Sequence, residues 1–586
     1  MKTAALFPPL TLEALRIEYA QGRTPEETVR ECYRRITERG ADGVWIHPPP
    51  LEELLELART CAHDSSLPLY GVPFAIKDNI DVAGWPTTAA CPAFSYVPTE
   101  DAHVVARLKA AGAIPIGKTN MDQFATGLVG ARSPYGIPRS VFSDEHLSGG
   151  SSSGSGVAVA AGLVSFSLGT DTAGSGRVPA AFNGIVGVKP SCGLLSASGL
   201  LPACRTLDCI TIFALSVQES RDLLKVASGY DSTDPFSKKV LPQYFRNPTP
   251  VIGVLSLSQR EFFGDEQSAA AYEQAIAHAK EIGWETVEFD YAPFQEMALQ
   301  LYAGPWVAER LAAIEPFIKE HAAAVHPVVR QIIEGGQRFT AADAYRGVYE
   351  KARLRRVCDK TWEHLDAILL PTVPTHYTVE EVLADPVRLN SRLGTYTNFV
   401  NLLDLCAIAV PSGMKPNGLP FGVTLMAPAG FDEALALLGG RYCGEEIESL
   451  GNGLIPLAVV GAHLQGQPLH AQLTDRNAQL LWSGRTKSSY RLYALANTVP
   501  AKPGLVRDLS FQGEGIEVEV YGLTPENLGS FLTLVSSPLA IGSVELASGE
   551  WVKGFVCEPS ALDGATEITE FGGWRAWLSS RVTHMA

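Results

Sequence analysis

The alternation of apolar and polar positions divides the chain into helical and extended stretches. Thr24-Pro25-Glu26-Glu27 is a capping box with proline at the first helical position. Val29, Cys32, Tyr33 and Ile36 continue it as one apolar stripe, so the first 60 residues read as helices. From about residue 70 short apolar runs alternate with helical patterns. Gly71–Ile76 predicts a strand, His103–Ala111 a helix, Ile114–Ile116 a strand and Val157–Val164 an apolar helix. Val251–Leu255, Thr286–Phe289 and Ala367–Leu370 read as further strands, with a helix near Gln267–Ile282. This order predicts an α/β domain with a largely buried sheet.

The character changes after residue 440. Cys443–Gly453 is acidic and contains glycine, as a linker does, and Ile516–Tyr521 and Phe531–Val535 read as strands of a smaller α+β unit ending near Trp574 and Trp577. The expected division is 1–440, a linker at 441–455, and 456–586.

At 586 residues the chain exceeds one hydrophobic core, which agrees with that division. A formal charge of −16 argues against an extended nucleic-acid surface, which needs clustered lysine and arginine. The ten cysteines form no Cys-x-x-Cys, and no His-Glu-x-x-His occurs, so no zinc site is signalled; scattered thiols read as core residues in a reducing compartment. The N-terminal apolar stretch is short and soon meets Pro8, Pro9 and Glu13, a poor pattern for a signal peptide. No apolar run approaches the roughly 18 residues of a membrane span. The cytoplasm is the expected location.

Chemistry concentrates in Leu147-Ser-Gly-Gly-Ser-Ser-Ser-Gly-Ser-Gly156 and Gly169-Thr-Asp-Thr-Ala-Gly-Ser-Gly-Arg177. Glycine at this density is costly in chain entropy and points to special backbone geometry or a close ligand. A flexible linker is the plain alternative, but these stretches lie among apolar core segments. Gly150-Ser-Ser-Ser-Gly154 fits a nucleophile elbow centred on Ser152, yet the preceding Ser143–Ser148 is polar where an elbow needs a hydrophobic strand. No Gly-Lys-Ser/Thr completes a phosphate loop. Ser412-Gly-Met-Lys415 has the spacing of a penicillin-binding serine–lysine pair, but Pro411, Gly413 and Pro416 oppose the helix that pair requires.

Together with Gly71-Val-Pro-Phe-Ala-Ile-Lys77-Asp78, the two loops resemble the amidase signature family over roughly residues 60 to 430, with Ser151 and Ser175 spaced 24 positions apart as in that family. The resemblance implies a mixed sheet covered by helices, Ser175 as nucleophile, Ser151 as proton relay after a cis peptide bond, and Lys77 as base. It also implies an oxyanion hole from the N–H groups of Thr172, Ala173, Gly174 and Ser175, with Asp171 and Arg177 supporting that loop. A serine hydroxyl needs a base, and lysine serves only when neutral, which burial after the apolar Val72–Ile76 favours. Read alone, a lysine beside Asp78 is more often half of a surface ion pair, and the shared motif reverses that reading.

Asn120–Gly136 and Tyr302-Ala-Gly-Pro-Trp-Val-Ala-Glu-Arg310 resemble the allophanate hydrolase branch. That resemblance implies that Tyr302 and Arg310 bind a substrate carboxylate and that the Gly127–Gly130 turn contacts the substrate. Val459–Leu469 and Phe571–Trp577 resemble that branch's extra domain, similar to the γ-glutamylcyclotransferase-like fold. They imply release of ammonia from allophanate, then decarboxylation of N-carboxycarbamate with His463 as candidate base. A functional link to a biotin-dependent urea carboxylase, a homodimer, and no cofactor are implied as well. The alternatives are a broader small-amide amidase and a non-catalytic subunit of a urea-degrading assembly, docking through the C-terminal domain.

Overall fold

The strand Pro73–Lys77 is buried along its whole length and ends on a lysine, and the larger part of the fold is arranged around it. The computed structural model describes residues 7–583 apart from 62–63, 241–242, 244, 246–248, 446–453, 497, 548 and 550. Most of the expected linker, and the first six residues on which the leader reading rests, lie outside the described residues. The chain divides into two units, 1–242 with 251–447 and 243–250 with 448–586.

The larger unit is built on an eleven-stranded mixed sheet. Its strands are β1 (Trp45–His47), β2 (Pro73–Lys77), β3 (Ile114–Thr119), β4 (Phe166–Asp171), β5 (Val186–Lys189), β6 (Cys209–Ala214), β7 (Val251–Leu255), β8 (Glu285–Phe289), β9 (Ala367–Pro371), β10 (Leu405–Met414) and β11 (Pro420–Pro428). They lie in the order β1-β3-β2-β4-β6-β5-β10-β11-β9-β7-β8. β2 runs parallel to both neighbours, β3 and β4, whereas β4 pairs antiparallel with β6. Parallel central strands are covered on both faces, which is why β2, β3 and β4 carry no alternating polar face and are buried throughout. The main apolar core packs on these strands through residues such as Phe74, Ile76, Ile116, Phe166, Leu168 and Phe213.

The smaller unit has a five-stranded sheet and a three-stranded one. The expected strand at Phe531–Val535 is not formed. Residues Pro525–Leu532 are helical because Thr524 caps the helix, accepting from the Asn527 N–H, and Pro525 occupies its first turn. Of that apolar run only Phe531 is buried, at the end of the helix, while Leu532 and Leu534 are exposed. Trp574, 1% exposed, anchors the last helix, with the Trp577 ring 4.7 Å away.

Glycine 187 shows how tightly the sheet is packed behind the Gly/Ser loops: a Cβ there would stand 2.2 Å from the Gly176 carbonyl oxygen and 2.7 Å from the Ala180 Cβ. Gly187→Ala is expected to cost about 1–3 kcal/mol by overpacking, read as a lower melting temperature of the larger unit. A variant melting with the wild type would show that the loop yields freely at this contact.

Candidate active site

The end of β2 buries Lys77 in the protein, with no solvent-exposed surface. Its Nζ lies 2.8 Å from Ser151 Oγ and 2.7 Å from Thr170 Oγ1. Burial pulls the amine down to about 7, against the opposing pull of Asp122, Asp208 and Asp171. At that value a large fraction of the side chain is neutral at pH 7, with a lone pair to take a proton. Asp78 is not its counter-ion. The Asp78 carboxylate accepts from the N–H groups of Thr88 (3.0 Å) and Ala90 (3.2 Å) and lies 3.6 Å from Lys118 Nζ. Both Lys77 and Asp78 are fully buried, which removes the surface ion-pair reading.

The Gly150–Ser151 peptide bond is cis, and the Ser151 carbonyl accepts from the Asp122 N–H at 3.0 Å. Ser152 opens the helix Ser153–Ala160 with no strand before it, so the elbow pattern is accidental. Lys415 lies just past β10, with Nζ 3.1 Å from Asp265 Oδ2, and belongs to no serine–lysine helix.

Ser175 Oγ donates to the Gly127 carbonyl at 3.5 Å rather than to Ser151. The structure therefore forms the Lys77–Ser151 link and turns Ser175 toward the Gly127 turn. The loop around Ser175 is braced by Asp171, whose carboxylate accepts from the N–H groups of Gly174 (2.9 Å) and Gly176 (3.0 Å) and from both Nε and Nη2 of Arg177 at 2.9 Å. Burial works against the Asp171 charge, but the Arg177 guanidinium outweighs it and holds the carboxyl below its usual range. The Gly174 N–H is thereby directed at Asp171. No hydrogen bond among the described residues takes the N–H of Thr172, Ala173 or Ser175.

Arg310, 2% exposed, follows Pro305 in the helix Trp306–His321. Its guanidinium reaches the Ala125 carbonyl (3.4 Å), Thr126 Oγ1 (3.3 Å) and the Tyr302 hydroxyl (3.4 Å), and its Nε has no hydrogen-bond partner among the described residues. The three contacts are long, and they place the cation against the turn that carries Gly127. Several contributors escaped the sequence reading. Asp122 holds that turn through the N–H groups of Val129, Gly130 and Arg132; Arg132 donates to the carbonyls of Thr126 (2.7 Å) and Pro386 (2.6 Å); and Asn401 ties the Asp171 carbonyl to that of Leu207. Arg132 was the most visible signal, a charge within an otherwise small and apolar run. With Tyr302 and Asn390 it lines a cavity of about 480 Å³. Among the described residues no group of three or more His, Cys, Asp or Glu side chains is placed to hold a metal ion.

In the smaller unit His463 lies beside a separate cavity of about 210 Å³, lined also by Gln472, Lys502, Phe531 and Phe555. Its Nε2 pairs with Gln472 Oε1 at 2.9 Å and its ring stacks on Phe555, centroids 5.0 Å apart. Burial pushes the imidazole below its usual range, so it is neutral at pH 7.

A buried lysine hydrogen-bonded to one loop serine, with a second serine on an aspartate-braced loop, is the arrangement of a serine amidohydrolase. The chain belongs to the amidase family, matching the Amidase family over residues 27–436. Residues 455–579 match the allophanate hydrolase C-terminal domain. The urea amidolyase of Lachancea kluyveri is 44% identical over 96% of this chain, and that of Saccharomyces cerevisiae 42% identical over 92%. The chain spans about a third of the length of these relatives, 33% and 31%. The solved structure of Kluyveromyces lactis allophanate hydrolase is 40% identical, with a TM-score of 0.80, covering 99% of this chain and 100% of that one.

If Lys77 acts in its neutral form, amide hydrolysis rises with pH through about 7 and levels above it, because the depressed value leaves the base protonated and idle at lower pH. Lys77→Ala is expected to lose nearly all turnover while keeping the wild-type circular dichroism spectrum. A folded variant with wild-type rate would refute the role.

Proposed function

We propose that this chain hydrolyses allophanate, releasing ammonia and then carbon dioxide. The observation that carries this reading is the buried Arg310, paired with the half-buried Tyr302 and set against the Thr126–Gly127 turn that meets Ser175. A planar guanidinium beside a phenol hydroxyl suits a carboxylate. It would hold the carboxylate end of a small acidic amide while the amide carbonyl faces Ser175. The match of residues 455–579 to the allophanate hydrolase C-terminal domain supports the same choice.

In this mechanism Ser175 Oγ attacks the terminal amide carbonyl as its proton passes through Ser151 to neutral Lys77. The N–H groups of Thr172, Ala173 and Ser175 stabilise the oxyanion. Collapse returns the proton to the departing nitrogen, ammonia leaves, and water hydrolyses the ester of Ser175. The product is N-carboxycarbamate. His463, with its acceptor nitrogen and Lys502 in the same cavity, is the candidate base for decarboxylating it. The reaction uses no cofactor.

The reading extends to a cytoplasmic homodimer coupled to a biotin-dependent urea carboxylase, the source of allophanate. Full-length urea amidolyase relatives support the coupling by their names and greater length. Tyr345, Val348 and Tyr349 support self-association, lying exposed on one face of the helix Ala341–Asp359. No helix of the described residues is long and apolar enough to cross a membrane.

Ammonia release should be fast from fresh allophanate, slow from biuret, malonamate and glutamine, and absent in Ser175→Ala. Faster release from a neutral amide would instead favour a broad small-amide amidase. Arg310→Ala is expected to cost about 10²-fold or more in kcat/KM for allophanate, the loss of a buried charge-assisted contact of roughly 3 kcal/mol, with little change for neutral amides. His463→Ala in the full chain should keep ammonia release from the first step and lose carbon dioxide; equal loss of both would assign His463 a structural role.

A further inference from the structure

Next to the strand that carries Asp171, two thiols lie close together. Cys209 begins β6, and its Sγ lies 3.5 Å from Cys192 Sγ. All ten cysteines are free, and this is the sulfur–sulfur contact found among the described residues. Lys189, fully buried at the end of β5, places its Nζ 3.8 Å from Cys192 Sγ while donating to the carbonyls of Pro190 (2.6 Å) and Leu405 (2.7 Å). Cys209 is buried and Cys192 partly exposed, so the pair lies close beneath the surface. The hydrogen bond from Cys209, aided by the Lys189 ammonium, pulls the Cys192 thiol below its usual range in spite of burial. A lowered thiol beside a cation and next to a second thiol is the setting in which oxidation is selective.

We infer that Cys192 and Cys209 form a peroxide-sensitive dithiol whose oxidation to a disulfide slows the amidase reaction. In the first step the Cys192 thiolate attacks one oxygen of hydrogen peroxide. The O–O bond breaks, the leaving hydroxide takes a proton to become water, and Cys192 becomes a sulfenic acid. In the second, the Cys209 sulfur displaces the sulfenic oxygen, which leaves as water with the thiol proton. Two thiols lose two electrons and two hydrogens, and one peroxide becomes two waters. Lys189 stays protonated throughout and stabilises the thiolate.

The consequence follows from register. Cys209 is directly opposite Asp171 in the antiparallel β4–β6 ladder, and Asp171 braces Gly174, Gly176 and Arg177 around Ser175. The adjacent Asp208 accepts from the Thr172 hydroxyl and from the Ala203 N–H. A disulfide brings the sulfurs to about 2.05 Å, so closing it draws the start of β6 toward Cys192 and pulls on both supports of the loop.

The test uses the reduced full chain, treated with hydrogen peroxide and then alkylated. Trypsin does not cut Lys189–Pro190, so Cys192 falls in peptide 178–205 and Cys209 in 206–221. Mass spectrometry should find these two peptides joined, with fragment ions placing the bridge on Cys192 rather than Cys204. Ammonia release should fall by most of its initial rate and return with dithiothreitol, whereas Cys192→Ser keeps its rate under the same peroxide. The cross-link arm needs neither substrate nor variant, so it stands apart from the allophanate reading. Absence of the 178–205/206–221 cross-link, or equal and irreversible loss of rate in wild type and Cys192→Ser, would overturn the inference.

Discussion

Everything at the site depends on a lysine kept from water. Lys77 ends a parallel strand flanked on both sides, and the groups nearest its amine are two hydroxyls, those of Ser151 and Thr170, rather than a carboxylate. Moving its value from 10.5 to about 7 means that the ammonium form costs on the order of 5 kcal/mol more here than in water. The sheet supplies that cost. A carboxylate in direct contact would cancel it, and the fold instead gives Asp78 to Lys118 and Asp171 to Arg177. These two buried ion pairs keep both carboxylates out of direct contact with the lysine, so the upward pull of Asp171 does not cancel the effect of burial.

The second constraint is the Asp171 brace. A carboxylate that holds two backbone N–H groups and both edges of an arginine fixes a loop far more closely than glycine-rich sequence suggests. Gly174 has φ +133°, and a Cβ there would stand 2.5 Å from Thr397 Oγ1, so the loop is rigid despite its composition. Its rigidity leaves the N–H groups of Thr172, Ala173 and Ser175 uncommitted at one turn. A separate piece, the Ala125–Gly127 turn, joins the Arg310 pocket to Ser175. Asp122 and Arg132 hold that turn from within.

Much of this was legible in the linear order of residues. Capping at Thr24-Pro25, the apolar runs of β2, β3, β7 and β9, and the spacing of Lys77, Ser151 and Ser175 are local or fixed-offset signals, and they need no tertiary contact to be read. The error at Phe531–Val535 came from trusting a short apolar run over the Thr524-Pro525 helix start beside it, since such runs suit either period.

What the sequence determined by itself was the identity and order of the candidate side chains Lys77, Ser151 and Ser175, because those depend on residue type and chain spacing. Tertiary structure alone decided their environment. It decided that Lys77 meets hydroxyls while Asp78 meets Lys118, that Gly174 spends its N–H on Asp171, and that Asn401 and Asn390 reach the two loops from more than 200 residues away. Desolvation and hydrogen-bond partnership are properties of a packed neighbourhood, and no spacing along the chain encodes which distant group will fill it.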